Sequence, residues 1–356
     1  MEWRRWWTVA VPVAAIALLA VSWGRYGPGW LIALVAILLG ASVIAAVHHA
    51  EVVAHRVGEP FGSLLLAVAV TVIEVGLIVT LMLSGGDGTA TLARDTVFAA
   101  LMITCNGIVG LSFLVAVVRR PVTRFNAEGS RAAFATVIAL ATFTLVLPTF
   151  TESSSPGTLT TGQLGFVAVA SLMLWGLFVF AQTIRHRDYF LPLGDDPEAH
   201  ADCPSDGETA ISGVLLLVSL VAVVGLAKTV SPALEAAVVG AGLPLGVVGV
   251  VIALLVLLPE SIAAVRAARR GRMQIALNLS YGSTIASIGL TVPVIAMASI
   301  WMDGSLVLGL PPVGIVLVAL TGALGILTVV PGRATIIQGG VHLVVFAGFL
   351  ALTIAP

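Results

Sequence analysis

The sequence predicts an all-α polytopic membrane protein of about 11 transmembrane helices, arranged as one extra N-terminal helix and two inverted five-helix repeats. Three observations support this fold class: an apolar composition, a series of apolar segments long enough to span a bilayer, and one acid at a corresponding place in two of those segments. Hydrophobic residues make up 59% of the 356 residues and charged residues only 10%. Soluble domains carry roughly 25% charged residues, so this composition excludes an ordinary soluble protein.

Apolar segments follow one another along nearly the whole chain. A helix that crosses the hydrocarbon core needs about 20 mainly apolar residues. The first segment follows Arg4 and Arg5 but has no small-residue cleavage site before Trp23, so we expect an uncleaved helix rather than a signal peptide. The segments extend approximately over residues 8–23, 29–54, 61–84, 92–118, 132–148, 161–184, 211–227, 232–240 with 243–265 as one broken region, 273–301, 312–330 and 335–354.

The basic residues predict the orientation of the chain. With the N-terminus inside, 14 of the 17 basic residues fall on the cytoplasmic side, and only Arg25, Arg94 and Lys228 fall outside. We therefore predict a cytoplasmic N-terminus and an outer C-terminus, in the cytoplasmic membrane of a bacterium. No basic patch with aromatic residues suggests nucleic acid; the expected partners are membrane lipids and inorganic cations, with no cofactor and an undetermined oligomeric state.

A polar interruption divides the chain into two halves. Residues 186–210 combine Pro, Gly and acids and are predicted to form a cytoplasmic linker. Five segments precede the linker in residues 27–185 and five follow it in residues 211–356, while residues 1–26 hold the extra N-terminal helix. Because five is an odd number, the second half enters the membrane from the opposite side, as expected of an inverted repeat.

Two glutamates, Glu74 and Glu260, lie near the middle of apolar segments that otherwise contain almost no charge. At ~1.5 Å per helical residue, both carboxylates lie roughly 18 to 25 Å from the start of their segment, around mid-bilayer or somewhat past it. A carboxylate at that depth costs on the order of 2.5–3.5 kcal/mol, so it is rarely retained without an ion, a proton or a partner. We expect the functional site here. The structural alternative is a buried pair that hydroxyl groups satisfy and that only fixes helix packing.

The segment after each glutamate brings small and polar residues to membrane depth. Aligning the two halves on their glutamates sets Asn106-Gly107 over Gly282-Ser283. We expect both glycines to allow close backbone approach, and Pro259 to interrupt its helix and free carbonyls towards a cavity. The side-chain oxygens expected beside the carboxylates belong to Thr104, Asn106, Ser280, Ser283 and Ser287.

A second polar cluster lies at the cytoplasmic end of the second segment. A solvated helix end is the favoured interpretation; a role in pH sensing or cation access, and a metal site, are the alternatives. His342 stands alone in the last segment, where we expect a hydrogen-bonded core residue. The cluster consists of His48, His49, Glu51, His55 and Glu59.

Membrane glutamates also occur in intramembrane enzymes that act on lipid phosphates. Such an enzyme needs an arginine near the acids at membrane depth, whereas the arginines of this chain lie at segment ends. The nearest candidate, Arg333 in Pro331-Gly332-Arg333, lacks an adjoining serine, and no GxSxG, HExxH or P-loop motif is present. A pore is a third class, but a repeat with acids that can take up protons favours a carrier.

Three stretches resemble bacterial calcium/proton antiporters of the cation/calcium exchanger superfamily: Ala50 to Val79, Thr91 to Leu111 and Arg272 to Val294. The resemblance implies the exchanger fold, with ten core helices in two inverted halves, one acid in each repeat, and alternating access. Glu74 and Glu260 match those acids. The implied function is exchange of cytoplasmic Ca²⁺ for H⁺, since two carboxylates balance either one Ca²⁺ or two protons.

The resemblance has one departure at the acids. Related plant and fungal exchangers have Gly-Asn-Ala-x-Glu, whereas this chain has Thr71 and Leu257 at the positions of the amides. Thr71 offers one oxygen and Leu257 offers none, so Na⁺/H⁺ or K⁺/H⁺ exchange on the same fold is the alternative.

Overall fold

The computed structural model describes residues 3–23, 28–58, 61–84, 89–118, 121–151, 155–192, 204–301 and 306–356. These residues are almost entirely helical. Segments of π-helix at Ile103–Ile108 and Thr142–Val146 join α4 to α5 and α6 to α7, and a third, Ala181–Arg185, extends α8 and is followed by a 3₁₀ turn at Arg187–Tyr189. The α-helices are α1 (Trp3–Ser22), α2 (Gly29–Val57), α3 (Phe61–Ser84), α4 (Thr89–Met102), α5 (Val109–Val117), α6 (Ala127–Ala141), α7 (Leu147–Phe150), α8 (Thr161–Phe180), α9 (Asp206–Gly240), α10 (Gly246–Arg269), α11 (Met273–Ala298), α12 (Pro312–Val329) and α13 (Ile336–Ile354).

The lengths of these helices fit a membrane protein. Within the described ranges, nine helices are long and apolar enough to cross a bilayer, and two shorter apolar helices lie at Trp6–Ser22 and Val68–Leu83. This confirms the predicted class, an all-α polytopic membrane protein. The number of helices that actually span the bilayer and the inverted order of the halves stay predictions.

The predicted break before Pro232 is wrong. Helix α9 continues through Pro232 and ends at Gly240, so residues 232–240 belong to the preceding helix and not to the following one. A Schellman motif ends α9, because Gly242 has a φ of 71° and the amide of Leu243 donates to the carbonyl of Val238 at 3.0 Å. Proline is tolerated inside a membrane helix, where neighbouring groups satisfy the freed carbonyl.

The expected interruption at Pro259 is also absent. Helix α10 continues past Pro259 to Arg269. Pro259 lacks the amide hydrogen that would bond to the carbonyl of Leu255, but the following turn is maintained, with the hydroxyl of Ser261 donating to the carbonyl of Leu257 at 2.6 Å. The proline therefore removes one hydrogen bond and leaves the helix unbroken.

The described residues form two compact units. The first contains Met1–Thr89 and His200–Val248, in which α2 packs on α9, α3 and α1. The second contains Ala90–Ala199 and Gly249–Pro356, in which α11 packs on α8 and α6 and α13 packs on α5. Each unit takes segments from both predicted halves, so the compact units differ from the halves that the linker separates. Much of that linker, residues 193–203, lies outside the described residues.

Two short strands pair in the second unit. Strand β1 (Thr123–Arg124) and strand β2 (Arg333–Ala334) are antiparallel, with Thr123 opposite Ala334 and Arg124 opposite Arg333. β1 lies just before α6 and β2 lies just before α13. The pair therefore ties together the starts of two apolar helices, a contact that the sequence did not predict.

Candidate functional site

Glu74 lies inside the first compact unit. It comes 13 residues after the first residue of α3, about 20 Å along the helix. Its side chain is 3% exposed, and Thr71, one turn earlier on the same helix, is also buried. Gly76 brings α3 close to α9, since a Cβ at Gly76 would lie 2.6 Å from Cγ2 of Val224. The carboxylate is thus held in a tightly packed helix pair.

Glu260 lies in the second unit, at a similar distance from the start of its own helix. It comes 14 residues after the first residue of α10, about 21 Å along the helix, and is partly buried. Val256 and Leu257 on the preceding turn are buried and apolar. The turn before Glu260 therefore offers no side-chain oxygen, whereas the turn before Glu74 offers the hydroxyl of Thr71.

The polar residues after Glu74 lie on an irregular stretch of helix. Thr104, Asn106 and Gly107 fall within the π-helical segment Ile103–Ile108. Single π-helical turns occur frequently at functional sites, because they shift side chains out of the regular α-helical register. The polarity of this stretch is visible in the sequence, whereas its π-helical geometry was not predicted.

Thr104 connects this π-helical segment to α11. Its hydroxyl lies 2.7 Å from the carbonyl of Ala100 and 2.5 Å from the hydroxyl of Thr284. The hydroxyl of Thr284 lies 2.9 Å from the carbonyl of Ser280, and because each hydroxyl has one proton, one of them donates to its carbonyl and the other donates across the pair. The two helices that follow the glutamates in sequence are therefore joined by a buried pair of hydroxyls. Sequence analysis selected Thr104 and Ser280 but missed Thr284.

Asn106 connects the same segment to α12 and α13. Its Nδ2 donates to Oγ1 of Thr321 at 2.9 Å, and its Oδ1 lies 3.0 Å from Nδ1 of His342. The other ring nitrogen of His342 lies 3.1 Å from Oγ1 of Thr328. His342 is 1% exposed, which confirms the hydrogen-bonded core residue expected there. Its bond to a predicted site residue was not anticipated.

The remaining predicted site residues differ in their surroundings. Ser280 and Ser287 are buried, and Ser283 is partly buried. A Cβ at Gly107 would contact the ring of Phe346 at 3.4 Å, but one at Gly282 would meet no described atom within 4 Å. The close backbone approach expected at Gly282 is therefore not observed there.

The histidine cluster does not lie at one solvated surface. Glu51 and His55 are exposed, but His49 is buried, with Nε2 2.9 Å from the carbonyl of Thr8. Pro12, four residues after Thr8, lacks the amide hydrogen that would bond to this carbonyl, and His49 supplies a donor instead.

The solvated-end interpretation is thus wrong for His49. The ring of His48 lies between two others: it is tilted by 44° to that of Trp7, with centroids 6.0 Å apart, and is edge-on to that of His49, with centroids 5.5 Å apart. Glu59 lies outside the described residues. Across the described ranges, no three His, Cys, Asp or Glu side chains could together hold a metal ion, so the metal-site interpretation has no structural support.

An apolar helical fold with one acid inside each of two helices is typical of a multi-pass membrane transporter. The chain belongs to the Sodium/calcium exchanger protein family, which matches residues 27–184 and 211–355. This confirms the family resemblance seen in the sequence.

Two relatives are similar over nearly the whole chain. The protein y4hA of Sinorhizobium fredii, described as an ionic transporter, is 43% identical over 98% of this chain and 96% of its own length. The sodium-potassium/proton antiporter ChaA of Escherichia coli is 33% identical over 90% of this chain and 87% of its own length. The chain is therefore similar to ion transporters of bacteria.

Solved structures share the fold. Native YfkE has a TM-score of 0.74 at 17% identity, covering 98% of this chain and all of its own chain. The H⁺/Ca²⁺ exchanger CAX has a TM-score of 0.74 at 15% identity, covering 98% of this chain and 88% of its own. The exchanger fold expected from the sequence is therefore confirmed.

Proposed function

We propose that this chain is a secondary antiporter that exchanges a cytoplasmic cation, in the first place Ca²⁺, for H⁺. The observation that carries the proposal is the presence of two glutamates inside apolar helices, Glu74 in α3 and Glu260 in α10, each about 20 Å along its own helix, in a member of an exchanger family. A carboxylate is expensive at membrane depth, and two of them balance one divalent cation or two protons. Cation and protons then compete for the same two groups, which couples their movements.

A second candidate is exchange of Na⁺ or K⁺ for H⁺ by the same two glutamates. The printed name of the relative ChaA, a sodium-potassium/proton antiporter, favours it. Leu257, buried one turn before Glu260, adds to this support because Ca²⁺ prefers six to eight oxygen ligands and leucine supplies none. A site with fewer oxygens holds Ca²⁺ less tightly.

The polar residues near the π-helical segment have a supporting role in this proposal. Thr104 and Asn106 already form hydrogen bonds to Thr284, Thr321 and His342. We propose that these bonds fix the π-helical segment beside the transport path, and that Thr71 contributes its hydroxyl on the Glu74 side. We propose the same supporting role for Gly282, Ser283 and Ser287, which lie in α11 on the Glu260 side.

The proposed cytoplasmic position of the N-terminus rests on the positive-inside distribution of arginines.

Proton movement in proteoliposomes tests the proposal. Ca²⁺, Na⁺ and K⁺ are added in turn while a pH dye reports H⁺ flux, in the wild type and in Glu74→Gln and Glu260→Gln. We expect flux with at least one cation in the wild type and background flux in both variants. Glu235→Gln, which changes a glutamate near the end of α9, is the matched control and retains flux. Wild-type flux in either site variant would contradict the assignment of the glutamates, and the responding cation decides between the two candidates.

A further inference from the structure

Two arginines face each other on the strand pair of the second unit. Arg124 and Arg333 are directly opposite in the antiparallel register, and both are exposed. The neighbouring pair Phe125 and Gly332 is hydrogen-bonded, with the amide of Phe125 donating to the carbonyl of Gly332 at 3.0 Å. Hydrogen-bonded and non-hydrogen-bonded pairs alternate along an antiparallel ladder, so the arginines form a non-hydrogen-bonded pair, in which side chains lie closest together.

The opposite face of the ladder is buried. Thr123 and Ala334, which alternate with the arginines, are 8% and 0% exposed. Phe125 also packs inward, with its ring centroid 5.9 Å from that of Phe113. The pleat of the strands therefore directs both arginine side chains to the outer face of the ladder.

Neither guanidinium has an ion-pair or hydrogen-bond partner among the residues that the structure describes. Like charges directly opposite each other destabilise a strand pair. The acid nearest in sequence to either arginine is Glu128, and its carboxylate pairs with Arg131. The arrangement thus concentrates two positive charges at one point and leaves them uncompensated.

The surroundings of the pair are apolar and exposed. Val118 and Val122 precede Arg124, and Val330 and Ile337 flank Arg333; Val118 is 83% exposed and Ile337 69%. Both strands lead directly into the N-termini of apolar helices, α6 and α13. Exposed apolar side chains next to helices of membrane-spanning length place the arginines at the boundary between lipid tails and water.

We propose that Arg124 and Arg333 form a binding site for the phosphate group of an anionic lipid headgroup, with the lipid chains lying along the exposed apolar side chains beside the pair. Guanidinium groups bind phosphate oxygens through two parallel hydrogen bonds, and two arginines together offer donors to both unesterified oxygens of a lipid phosphodiester and outweigh its single negative charge. The anionic cytoplasmic leaflet is the side to which the distribution of basic residues assigns these loops. This site is independent of the transport site, so failure of one proposal leaves the other standing.

Native mass spectrometry of the full chain in neutral detergent tests the site, with phosphatidylglycerol and phosphatidylcholine as probes. We expect phosphatidylglycerol to bind roughly thirtyfold more weakly to the Arg124→Gln/Arg333→Gln variant than to the wild type, and phosphatidylcholine to bind both equally. Arg185→Gln/Arg187→Gln removes the same charge from exposed positions after α8 and is the matched control, expected to bind within about twofold of the wild type. Equal weakening in the two double variants would overturn the proposal, because it would show diffuse electrostatic attraction only.

Two further measurements complete the test. Glycerol 3-phosphate and inorganic phosphate are added as soluble competitors; displacement of the lipid at equal concentration would show a site for soluble phosphate and contradict the lipid assignment. The melting temperature of the Arg124→Gln/Arg333→Gln variant without lipid is expected to equal or exceed that of the wild type, since like-charge repulsion is removed. A marked fall in that temperature would indicate a structural role for the arginines instead.

Discussion

His342 is a buried polar residue whose hydrogen bonds tie three helices together. Its ring nitrogens contact Asn106 Oδ1 and Thr328 Oγ1, so Nδ1 donates, because a carbonyl oxygen only accepts. The sequence identified His342 as a core residue from its isolation in an apolar segment. It could not identify the partner, since Asn106 lies 236 residues away in the chain and no local pattern joins the two.

Replacing His342 with Ala is expected to destabilise the protein by roughly 1–3 kcal/mol, because Oδ1 of Asn106 loses its partner in a buried position. The measurement is the unfolding midpoint of the detergent-solubilised protein. His186→Ala, at an exposed histidine that stacks on Tyr189, is the control and is expected to leave the midpoint within error. An unchanged midpoint for His342→Ala would show that the network contributes nothing measurable.

His49 and Pro12 give a second prediction for single residues. If His49 replaces the hydrogen bond that Pro12 removes from Thr8, then Pro12→Ala restores that bond and makes the histidine dispensable. His49→Phe should therefore cost about 1 kcal/mol more in the wild-type background than in the Pro12→Ala background. A double-mutant cycle of unfolding midpoints measures this difference. Strict additivity of the two substitutions would mean that the histidine does not satisfy the carbonyl.

Helices α5 and α13 cross at two glycines. A Cβ at Gly110 would lie 3.0 Å from the carbonyl oxygen of Gly339, and one at Gly339 would lie 2.9 Å from Cδ2 of Leu114 and 3.0 Å from the carbonyl oxygen of Gly110. Small residues at helix crossings allow close backbone packing in membranes. Backbone thus meets backbone at Gly110 and Gly339, two positions that the sequence analysis did not single out, and not at Gly282.

Neighbouring glycines of α13 test this crossing. Gly339→Ala is expected to cost about 1–3 kcal/mol, since the helices must separate to admit the methyl group. Gly340→Ala is the matched control: a Cβ there meets no described atom within 4 Å, so the substitution is expected to be neutral or stabilising by up to about 1 kcal/mol. The measurement is the shift in unfolding midpoint, and shifts of the same sign and size for both variants would contradict close packing at the crossing.

The helices themselves were largely predictable, because hydropathy over some 20 residues reports directly on membrane helices. The errors concern backbone detail. Proline at 232 and 259 suggested breaks, yet both helices continue, and a glycine with positive φ ends α9 instead. The π-helical segment around Asn106 escaped prediction because its residues also suit an α-helix. The pairing of β1 with β2 escaped because each strand has only two residues.

The polar linker and the packing of the helices divide the chain into two parts in different ways. The sequence separates two halves at residues 186–210, whereas the described residues pack as two units that each draw on both halves. Packing depends on contacts between distant segments, which a linker cannot indicate. The resemblance of three stretches of the sequence to known exchangers sufficed to predict the family, which the comparisons confirm. The identity of the cation depends on oxygens gathered around both acids, and neither hydropathy nor spacing specifies these.

Competition between cation and protons at Glu74 and Glu260 is the central claim, and cation affinity measured as a function of pH tests it most directly. For the cation that drives H⁺ flux, isothermal titration calorimetry of the purified wild type is expected to show an affinity that falls with decreasing pH, with a limiting slope of about two protons per Ca²⁺. Glu74→Gln and Glu260→Gln should each bind more weakly and reduce that slope to about one or less. An affinity that does not change with pH, or a slope that both variants retain, would contradict the account.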